Sequence, residues 1–421
     1  MVKAIYNLLL CLLAILFLPV GLVLALFQEK RRATLGPRLG FQQVPPLNKP
    51  VWVHGLSVGE INAAIPLVLA LAQAHPEKDL VVSASTKTGF DLATAQLHGK
   101  VAAVIYYPYD LAWSVIRALK QVDPCLCILV ESDIWPNFVF QVKKQGIPLV
   151  LANGRLSDSS YKGYKKLGFL FAPVYKSFDK VGAQSEQEGD RFLNVGVRPQ
   201  CLEITGNLKF DRPPPPALAP LEILPEFPGP VLVAGSTHPG EETILARLLK
   251  GWKSKHGLSL IVAPRDPKRS RAVLEEFSKA GFSTTLYSQA AEKADVVVVD
   301  QMGVLAALYA RGDLCFIGGS LRPYGGHNPL EPAVYGKPII FGPDMKDFPH
   351  ISMLLLEKGG ALQVQDPEGL EQAVEDLLTN PTKAARLGKI ALEVIRQNQG
   401  ALEKNLALVK EYIREPQNNH G

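Results

Sequence analysis

The sequence contains few of the residues that build disulfide frameworks or zinc centres. Among its 421 residues are five cysteines and eight histidines. Cys11 lies in a long apolar stretch, the other cysteines lie in strand-like runs, and Cys125-x-Cys127 lacks the two-residue spacing of a zinc or redox pair. A disulfide-stabilised secreted domain is therefore not predicted, and the cysteines agree with a reducing compartment.

Several sequence motifs of common enzyme classes are also missing. The sequence has no H-E-x-x-H, no P-loop order and no G-x-G-x-x-G after the first predicted strand. The sequence therefore does not favour a metal hydrolase or a simple dinucleotide oxidoreductase, and neither a metal nor a cofactor is predicted.

The positive charge is small and unevenly placed. The net charge is +5, and residues 1–43 hold five basic residues against one acidic residue, which accounts for four of those charges. A nucleic-acid-binding protein spreads basic residues over a binding face. The nearly neutral remainder therefore predicts no nucleic-acid partner.

One long apolar run stands at the N-terminus. Ile5–Phe27 contains no charged residue and is long enough for a membrane-spanning helix. Lys30, Arg31, Arg32 and Arg38 follow it, and the positive-inside rule then places the body in the cytoplasm. Residues 1–28 are predicted to be a single uncleaved anchor in a bacterial inner membrane, which either spans or lies in the bilayer. A buried core helix is the alternative.

Beyond the anchor, short apolar runs alternate with helical segments, a pattern typical of parallel sheets covered on both faces. Four consecutive prolines, Pro213–Pro216, predict a stiff linker. We predict an α/β protein of two Rossmann-like, doubly wound domains facing a cleft, 29–212 and 213–421, with the C-terminal helix able to pack on the first. The predicted strands are Val51–Val53, Leu80–Ser83, Val101–Ile105, Cys125–Val130, Pro148–Leu151, Lys180–Ala183, Cys201–Ile204, Val231–Ala234, Leu258–Val262, Val296–Val299, Leu314–Ile317 and Pro338–Phe341.

Ligands of such sheets bind beyond the carboxyl ends of the strands. In the first domain these positions hold Glu60, Glu131, Asp133 and Lys209. Glu60 is either a general base, ionised at neutral pH like an ordinary carboxylate, or a helix N-terminal charge with a depressed pKa. Glu131 and Asp133 could orient a cation or a hydroxyl, or cap the helix that starts at Pro136. Lys209 either neutralises a leaving phosphate or is a surface lysine.

The second domain offers loops suited to a phosphate. Gly235–Glu242 is predicted to be a backbone anion cradle. Arg265 suits phosphate through its planar fork. Asn328 and Pro329 should start a helix with Glu331 in its first turn, where one carboxylate can accept both hydroxyls of a ribose. His327 is more often a structural histidine than a catalyst.

Taken together, the motifs resemble one family along nearly the whole chain. They are H-x-x-S-V-G-E ending at Glu60, E-x-D-x-W-P-N from Glu131, T-G-N-L-K-F-D from Thr205, G-S-T-H-P-G-E from Gly235 and G-G-H-N-P-L-E-P from Gly325. The sequence resembles the 3-deoxy-D-manno-octulosonic acid (Kdo) transferases of lipopolysaccharide synthesis. The resemblance implies the glycosyltransferase B fold and inverting transfer of Kdo from CMP-Kdo to a disaccharide hydroxyl of lipid A precursor (lipid IVA), with release of CMP.

The resemblance also implies roles for individual residues. Glu60 matches the proton acceptor, and Glu131 and Lys209 match the transition-state stabilisers. The positions matching the segments that hold CMP are Pro264, Arg265, Met302, Gly303, Val304, Asn328, Pro329, Leu330 and Glu331. The chain departs from the family pattern at Gly154, Asp266 and Val304, and Asp266 would repel a nearby phosphate.

The acceptor lipid requires a membrane-facing surface. Arg155–Lys176 interleaves basic and aromatic residues, which suits an anionic lipid interface, although a solvated helix face with a buried aromatic stripe would give the same pattern. Two other functions stay open at this point. One is a membrane-associated enzyme of the same fold that uses a UDP-sugar, and the other is a non-catalytic, membrane-anchored binding module.

Overall fold

The computed structural model of the protein describes residues 6–8, 10, 12–13, 15–17, 29–211, 224–289 and 292–413, with the backbone alone for 29–31. The chain divides into two compact units, Met1–Arg212 with Gln399–Gly421, and Pro213–Asn398. The proline linker and most of the predicted anchor lie outside the described residues. Within the part described, the structure has no helix of the length and apolarity needed to cross a membrane.

The first unit is built on a parallel sheet, which has seven strands among the described residues, in the order β3-β2-β1-β4-β5-β6-β7. The strands are β1 (Val51–Gly55), β2 (Leu80–Ala84), β3 (Ala103–Tyr106), β4 (Leu126–Val130), β5 (Leu149–Gly154), β6 (Lys180–Ala183) and β7 (Leu202–Ile204). Helices lie between them: α1 (Glu29–Gly36), α2 (Val58–Ala74), α3 (Lys87–Leu97), α4 (Ala112–Val122), α5 (Pro136–Lys144), α6 (Asp158–Lys166), α7 (Gly168–Lys176) and α8 (Glu186–Val195).

The second unit repeats this plan. Its described strands form a seven-stranded parallel sheet in the order β10-β11-β9-β8-β12-β13-β14. They are β8 (Val231–Thr237), β9 (Ser259–Pro264), β10 (Thr284–Leu286), β11 (Val296–Val298), β12 (Leu314–Ile317), β13 (Ile339–Phe341) and β14 (Ala361–Gln363). The helices of this unit are α9 (Glu241–His256), α10 (Ser270–Lys279), α11 (Leu305–Leu308), α12 (Leu330–Ala333), α13 (Pro349–Lys358), α14 (Pro367–Thr379) and α15 (Pro381–Asn398), and the chain continues into α16 (Ala401–Ile413).

Both faces of the first sheet are covered. Val51 and Val53 of β1 pack into one apolar cluster, while Trp52 between them packs into the cluster on the opposite face. All five residues of β4 are buried, as expected of a strand with helices on both sides. This double coverage explains why the central strands are continuous apolar runs in the sequence, and the predicted α/β class is confirmed.

Each predicted strand overlaps an observed one, but two strands were missed. Thr284–Leu286 and Ala361–Gln363 lie at the two edges of the second sheet and are three residues long. An edge strand is paired on one side and can expose polar side chains, so it leaves no continuous apolar run in the sequence.

The C-terminal helix α16 lies in the first unit, which agrees with the prediction that the last helix of 213–421 could pack on the first domain. Leu408, Val409 and Ile413 join the apolar cluster that contains Val150 and Ala152 of β5. The helix therefore closes one face of the first sheet beside β5.

The described N-terminal residues also contact the first unit. The hydroxyl of Tyr6 donates to Asp110 at 2.7 Å, and the amides of Asn7 and Asn137 bond each other at 3.0 and 2.9 Å. Arg38, one of the basic residues that follow the predicted anchor, is bonded to the body of the first unit. Its Nε donates to the carbonyl of Tyr107 at 3.0 Å, and its guanidinium lies over the ring of Tyr109.

Candidate active site

The strand order of the first sheet reverses between β1 and β4, which are neighbours in the sheet. A parallel α/β sheet opens a crevice at such a switch point, beyond the carboxyl ends of the two strands. Glu60 follows β1, and Glu131 follows β4 directly. Two of the three predicted catalytic residues therefore lie at the place where this fold binds ligands.

Glu60 lies in the first turn of α2 and is 6% exposed. Its Oε2 accepts a hydrogen bond from the backbone N–H of Leu56 at 2.5 Å, and its Oε1 accepts one from the hydroxyl of Ser132 at 2.9 Å. A Cβ on Gly55 would lie 3.2 Å from the backbone of Glu60, so glycine allows the strand end to approach the helix this closely. The two bonds hold the carboxylate in one orientation.

The surroundings change the proton affinity of Glu60. Burial first, and then the negative charges of Glu131 and Asp133, raise its pKa to about 8 against the opposing effect of the bonds from Leu56 and Ser132. The sequence predicted either an ordinary carboxylate that is ionised at neutral pH or a helix N-terminal charge with a depressed pKa, and the raised pKa contradicts both expectations. In the structure the carboxyl group is poised to exchange a proton near neutral pH, which is the property of a general base.

Glu131 and Lys209 form an ion pair. The Nζ of Lys209 lies 2.9 Å from Oε1 of Glu131, and the two side chains are 20% and 8% exposed. Glu131 has φ +64, a left-handed backbone conformation that costs a non-glycine residue about 1–2 kcal/mol. Lys209 lies in the short 3-10 helix Leu208–Asp211. The structure thus brings the predicted transition-state stabilisers into direct contact.

Asn153 connects this pair to the C-terminal helix. It is not among the site residues predicted from the sequence. Its Nδ2 donates to Glu131 at 3.3 Å, and its Oδ1 accepts from the backbone N–H of Leu208 at 3.0 Å. The side chain of Asn405 in α16 accepts from the backbone N–H of Asn153 at 3.1 Å. Both asparagines are fully buried. Asn405 stands far away in the sequence, so no local pattern could have revealed the connection.

Asp133 has a structural partner of its own. Nε2 of the buried His54 lies 2.8 Å from Asp133, and Nδ1 lies 2.9 Å from the hydroxyl of Ser83. Burial acts to raise the pKa of Asp133, but the bonds from His54, Trp135 and Ser85 outweigh it and hold that pKa below its usual value. The alternative of a helix cap is wrong for Asp133, because Trp135 is the N-cap residue of α5.

The arrangement of serine, histidine and aspartate is not that of a hydrolase. Ser83 is completely buried and also accepts a bond from the indole of Trp52. Gly55–Gly59 fits the G-x-S-x-G spacing of a serine nucleophile, a match that the sequence analysis overlooked. Ser57, however, has an extended backbone with φ −136 and ψ −178 and is the N-cap residue of α2. A nucleophile elbow requires a sharp, strained turn at that serine.

In the second unit, the predicted CMP-binding segments follow neighbouring strands. Pro264 ends β9, and the exposed Arg265 follows it. Met302–Val304 comes after β11, the strand beside β9. Asn328 accepts a bond from the N–H of Leu330 at 3.1 Å, so Asn328–Glu331 forms the start of α12, as the sequence predicted.

A buried carboxylate of the second unit bonds one N–H of the predicted anion cradle and three N–H groups of the loop after β12. The two oxygens of Glu241 accept hydrogen bonds from the backbone N–H groups of His238, Gly319, Ser320 and Leu321, at 2.7 to 3.1 Å. Glu241 is fully buried. Within the Gly235–Glu242 loop, the N–H of His238 is therefore already bonded, and the other three donors belong to Gly319–Leu321.

Asp266 was expected to repel a phosphate if it lay nearby. Its Oδ1 accepts from the backbone N–H of Lys268 at 3.0 Å and caps the turn Pro267–Arg269. The carboxylate therefore has a local structural role at this departure from the family pattern.

Comparison with known proteins identifies the family. Residues 33–212 match the family described as 3-Deoxy-D-manno-octulosonic-acid transferase (kdotransferase). The 3-deoxy-D-manno-octulosonic acid transferase of Haemophilus influenzae is 35% identical over 403 residues, which cover 93% of this chain and 94% of the relative. The chain belongs to the Kdo transferase family. It is a glycosyltransferase that transfers Kdo in lipopolysaccharide biosynthesis.

Further similarities agree with this assignment. The Kdo transferase of Chlamydophila psittaci is 29% identical over 96% of this chain and 95% of its own length. The crystal structure of UDP-GlcNAc 2-epimerase from Neisseria meningitidis bound to UDP-GlcNAc has a TM-score of 0.60 and 12% identity, covering 86% of this chain and all of that chain. At that identity the likeness concerns the fold alone, and it agrees with the predicted glycosyltransferase B architecture.

The basic and aromatic segment of this Kdo transferase has a mixed surface. The ring of Tyr164 packs against those of Phe171 and Tyr175, and Tyr175 is fully buried. This part of the segment fits the alternative of a buried aromatic stripe. Phe169 is 63% exposed, and Leu167 at the junction of α6 and α7 is also exposed. Exposed apolar side chains therefore follow the lysines of α6 along the chain. In the described residues, no cluster of three or more His, Cys, Asp or Glu side chains could hold a metal ion.

Proposed function

We propose that this Kdo transferase moves Kdo from CMP-Kdo to a disaccharide hydroxyl of the lipid A precursor lipid IVA with inversion, releasing CMP and using neither metal nor cofactor. The observation that carries the proposal is Glu60, a buried carboxyl group with a raised pKa at the switch point of the first sheet, beside the Glu131–Lys209 pair. A site of this kind has both a proton acceptor and fixed charges.

The proposed reaction needs one proton transfer. The acceptor hydroxyl attacks the anomeric carbon of Kdo, and its proton passes to the carboxylate of Glu60. The bond between that carbon and the phosphate oxygen breaks, and CMP leaves with the electron pair. CMP is a good leaving group, so the remaining task is to stabilise charge in the transition state, which we assign to Glu131 and Lys209.

The nucleotide is assigned to the second unit. Arg265 presents a planar, exposed guanidinium directly after β9, which suits a phosphate. Glu331, in the first turn of α12, is assigned to the ribose hydroxyls. The backbone of Met302–Val304 and of Asn328–Leu330 completes the CMP site in this proposal.

The acceptor lipid and the membrane are assigned to the first unit. Exposed Phe169 and Leu167 offer apolar contact to a bilayer, and Lys162, Lys165 and Lys166 nearby suit anionic headgroups. Large apolar side chains are also exposed near the N-terminus, at Leu8, Leu12, Leu13, Ile15, Leu16 and Phe17. We propose that Ile5–Phe27 anchors the enzyme in the bacterial inner membrane with the body on the cytoplasmic side.

Two measurements test the proposal. Incubation of the full chain with CMP-Kdo and lipid IVA in mixed micelles should give a lipid product heavier by Kdo, detected by mass spectrometry, together with free CMP. Calorimetric titration should show tighter binding of CMP than of UDP. Tighter UDP binding, or the absence of a Kdo-bearing lipid, would contradict the donor and acceptor assigned.

A further inference from the structure

Two histidines meet at the switch point of the second sheet, between β8 and β12. The Nε2 atoms of His238 and His327 lie 2.9 Å apart, and the two rings are within 4° of parallel. Gly319, with φ +70, passes beside them, and a Cβ there would lie 3.1 Å from His327. The loops after β8 and β12 thus converge on one imidazole pair.

The contact fixes how many protons the pair can hold. A nitrogen–nitrogen hydrogen bond needs one N–H and one lone pair, so one ring carries its proton on Nε2 and the other on Nδ1. A further proton can enter at the outer Nδ1 of the donating ring without breaking the bond between the rings. The pair can therefore accept one proton and then presents two outward N–H donors, whereas a second added proton would break the contact.

Charged and polar groups surround the pair on several elements. Burial, then the charge of Arg265, lower the pKa of His327 to about 4, and burial with Arg265 and Arg269 lowers that of His238. The unliganded pair is therefore neutral at neutral pH. The groups close to the rings are Arg265 and Arg269 after β9 and Tyr324, which stacks on His238. The groups beside the two loops are Glu241, bonded to the N–H of His238, Arg322 beside Gly240, and Asp344 and Asp347 beside Gly325.

We propose that the His238–His327 pair takes up one proton when an anionic nucleotide binds beside Arg265, and releases it when CMP leaves. This inference rests on the proposed function of the second unit. The nucleotide phosphate offsets the positive charge of Arg265 that keeps a proton away from the pair. The proton comes from the solvent, and the outward N–H groups then face the ligand as donors.

Calorimetric titration with CMP at about pH 6, in two buffers of different ionisation enthalpy, counts the protons exchanged on binding. The comparison uses the full chain, His238→Asn, His327→Asn and the control His98→Asn, which changes an exposed histidine in the first unit. Protons exchanged by the CMP phosphate are common to all four proteins. We expect the wild type and the control to take up roughly half to one proton more than either pair variant.

A proton count that is equal in the wild type and the pair variants overturns the inference and leaves the nucleotide assignment standing. Failure of the wild type to bind CMP overturns the proposed function, and the inference with it. If the pair variants themselves do not bind CMP, NMR titration of the two imidazoles in the wild type decides. Their pKa should rise by at least about one unit on adding CMP, and an unchanged pKa overturns the inference.

Discussion

The ammonium group of Lys209 lies 2.9 Å from the carboxylate of Glu131. The sequence analysis considered Lys209 as a cation directed at a leaving phosphate, whereas the structure pairs it with a carboxylate of the same unit. Glu131 also raises the pKa of Glu60. The carboxylate of Glu131 therefore belongs to the ion pair and also acts on the proposed base.

The first prediction separates the structural and catalytic parts of this pair. Lys209→Met leaves the carboxylate of Glu131 without its cation and should lower stability, by up to roughly 3–5 kcal/mol, the cost for a fully buried pair. The double variant Lys209→Met with Glu131→Gln removes both charges and should recover much of that stability without recovering Kdo transfer. Thermal unfolding and transfer assays on the wild type and these two variants check this. A double variant that regains transfer would exclude the pair from catalysis.

The second prediction concerns pH. The base must be ionised to accept a proton, so kcat/KM for transfer should rise with pH and level off above about 8. The folded pKa of Glu60 is raised, so its contribution to stability is present below the ordinary value of 4.5 and is lost as pH rises through about 8.

Glu60→Gln removes the titration of Glu60. It retains the titration of Asp110, whose pKa is raised to about 6 by burial, so the effect of Asp110 is common to both proteins. The melting temperature of the wild type should therefore fall relative to that of Glu60→Gln between about pH 5 and pH 9. Parallel pH profiles of the two melting temperatures would mean that the pKa of Glu60 is not raised.

The third prediction tests the connection from the C-terminal helix. Asn405→Ala leaves the buried N–H of Asn153 without its acceptor, which should cost about 1–3 kcal/mol and lower transfer, because Asn153 bonds Glu131. Lys404→Ala is the matched control, since that side chain is exposed one position away. Equal transfer rates and equal melting temperatures in the two variants would show that the connection has no effect.

The fourth prediction concerns the proposed lipid surface. Leu167→Ser with Phe169→Ser should slow transfer to lipid IVA in anionic vesicles several-fold, and slow it much less for acceptor dispersed in detergent, because these exposed side chains would enter the bilayer. Leu193→Ser changes an exposed leucine elsewhere in the unit and should have little effect in either assay. Equal slowing in vesicles and detergent would contradict a membrane role.

The sequence predicted the central strands because they are buried on both faces and so appear as continuous apolar runs. The ends of these apolar runs also showed that Glu60 and Glu131 come after strands. It did not predict that Glu241 bonds the backbone N–H groups after β12, because Gly319 lies 78 residues away along the chain. The raised pKa of Glu60 could not be predicted from the sequence either, because only the folded chain buries Glu60 and brings the charge of Glu131 close to it.

The most direct test of the account is the transfer rate of Glu60→Gln, measured with CMP-Kdo and lipid IVA beside calorimetric binding of CMP. Glutamine keeps the shape of the side chain and can still accept the bond from Leu56, but it cannot take a proton from the hydroxyl. We predict that transfer falls by about 10²–10⁴-fold while CMP binds as in the wild type. Transfer within about threefold of the wild-type rate, well inside the loss expected for a general base, would contradict Glu60 as the proton acceptor.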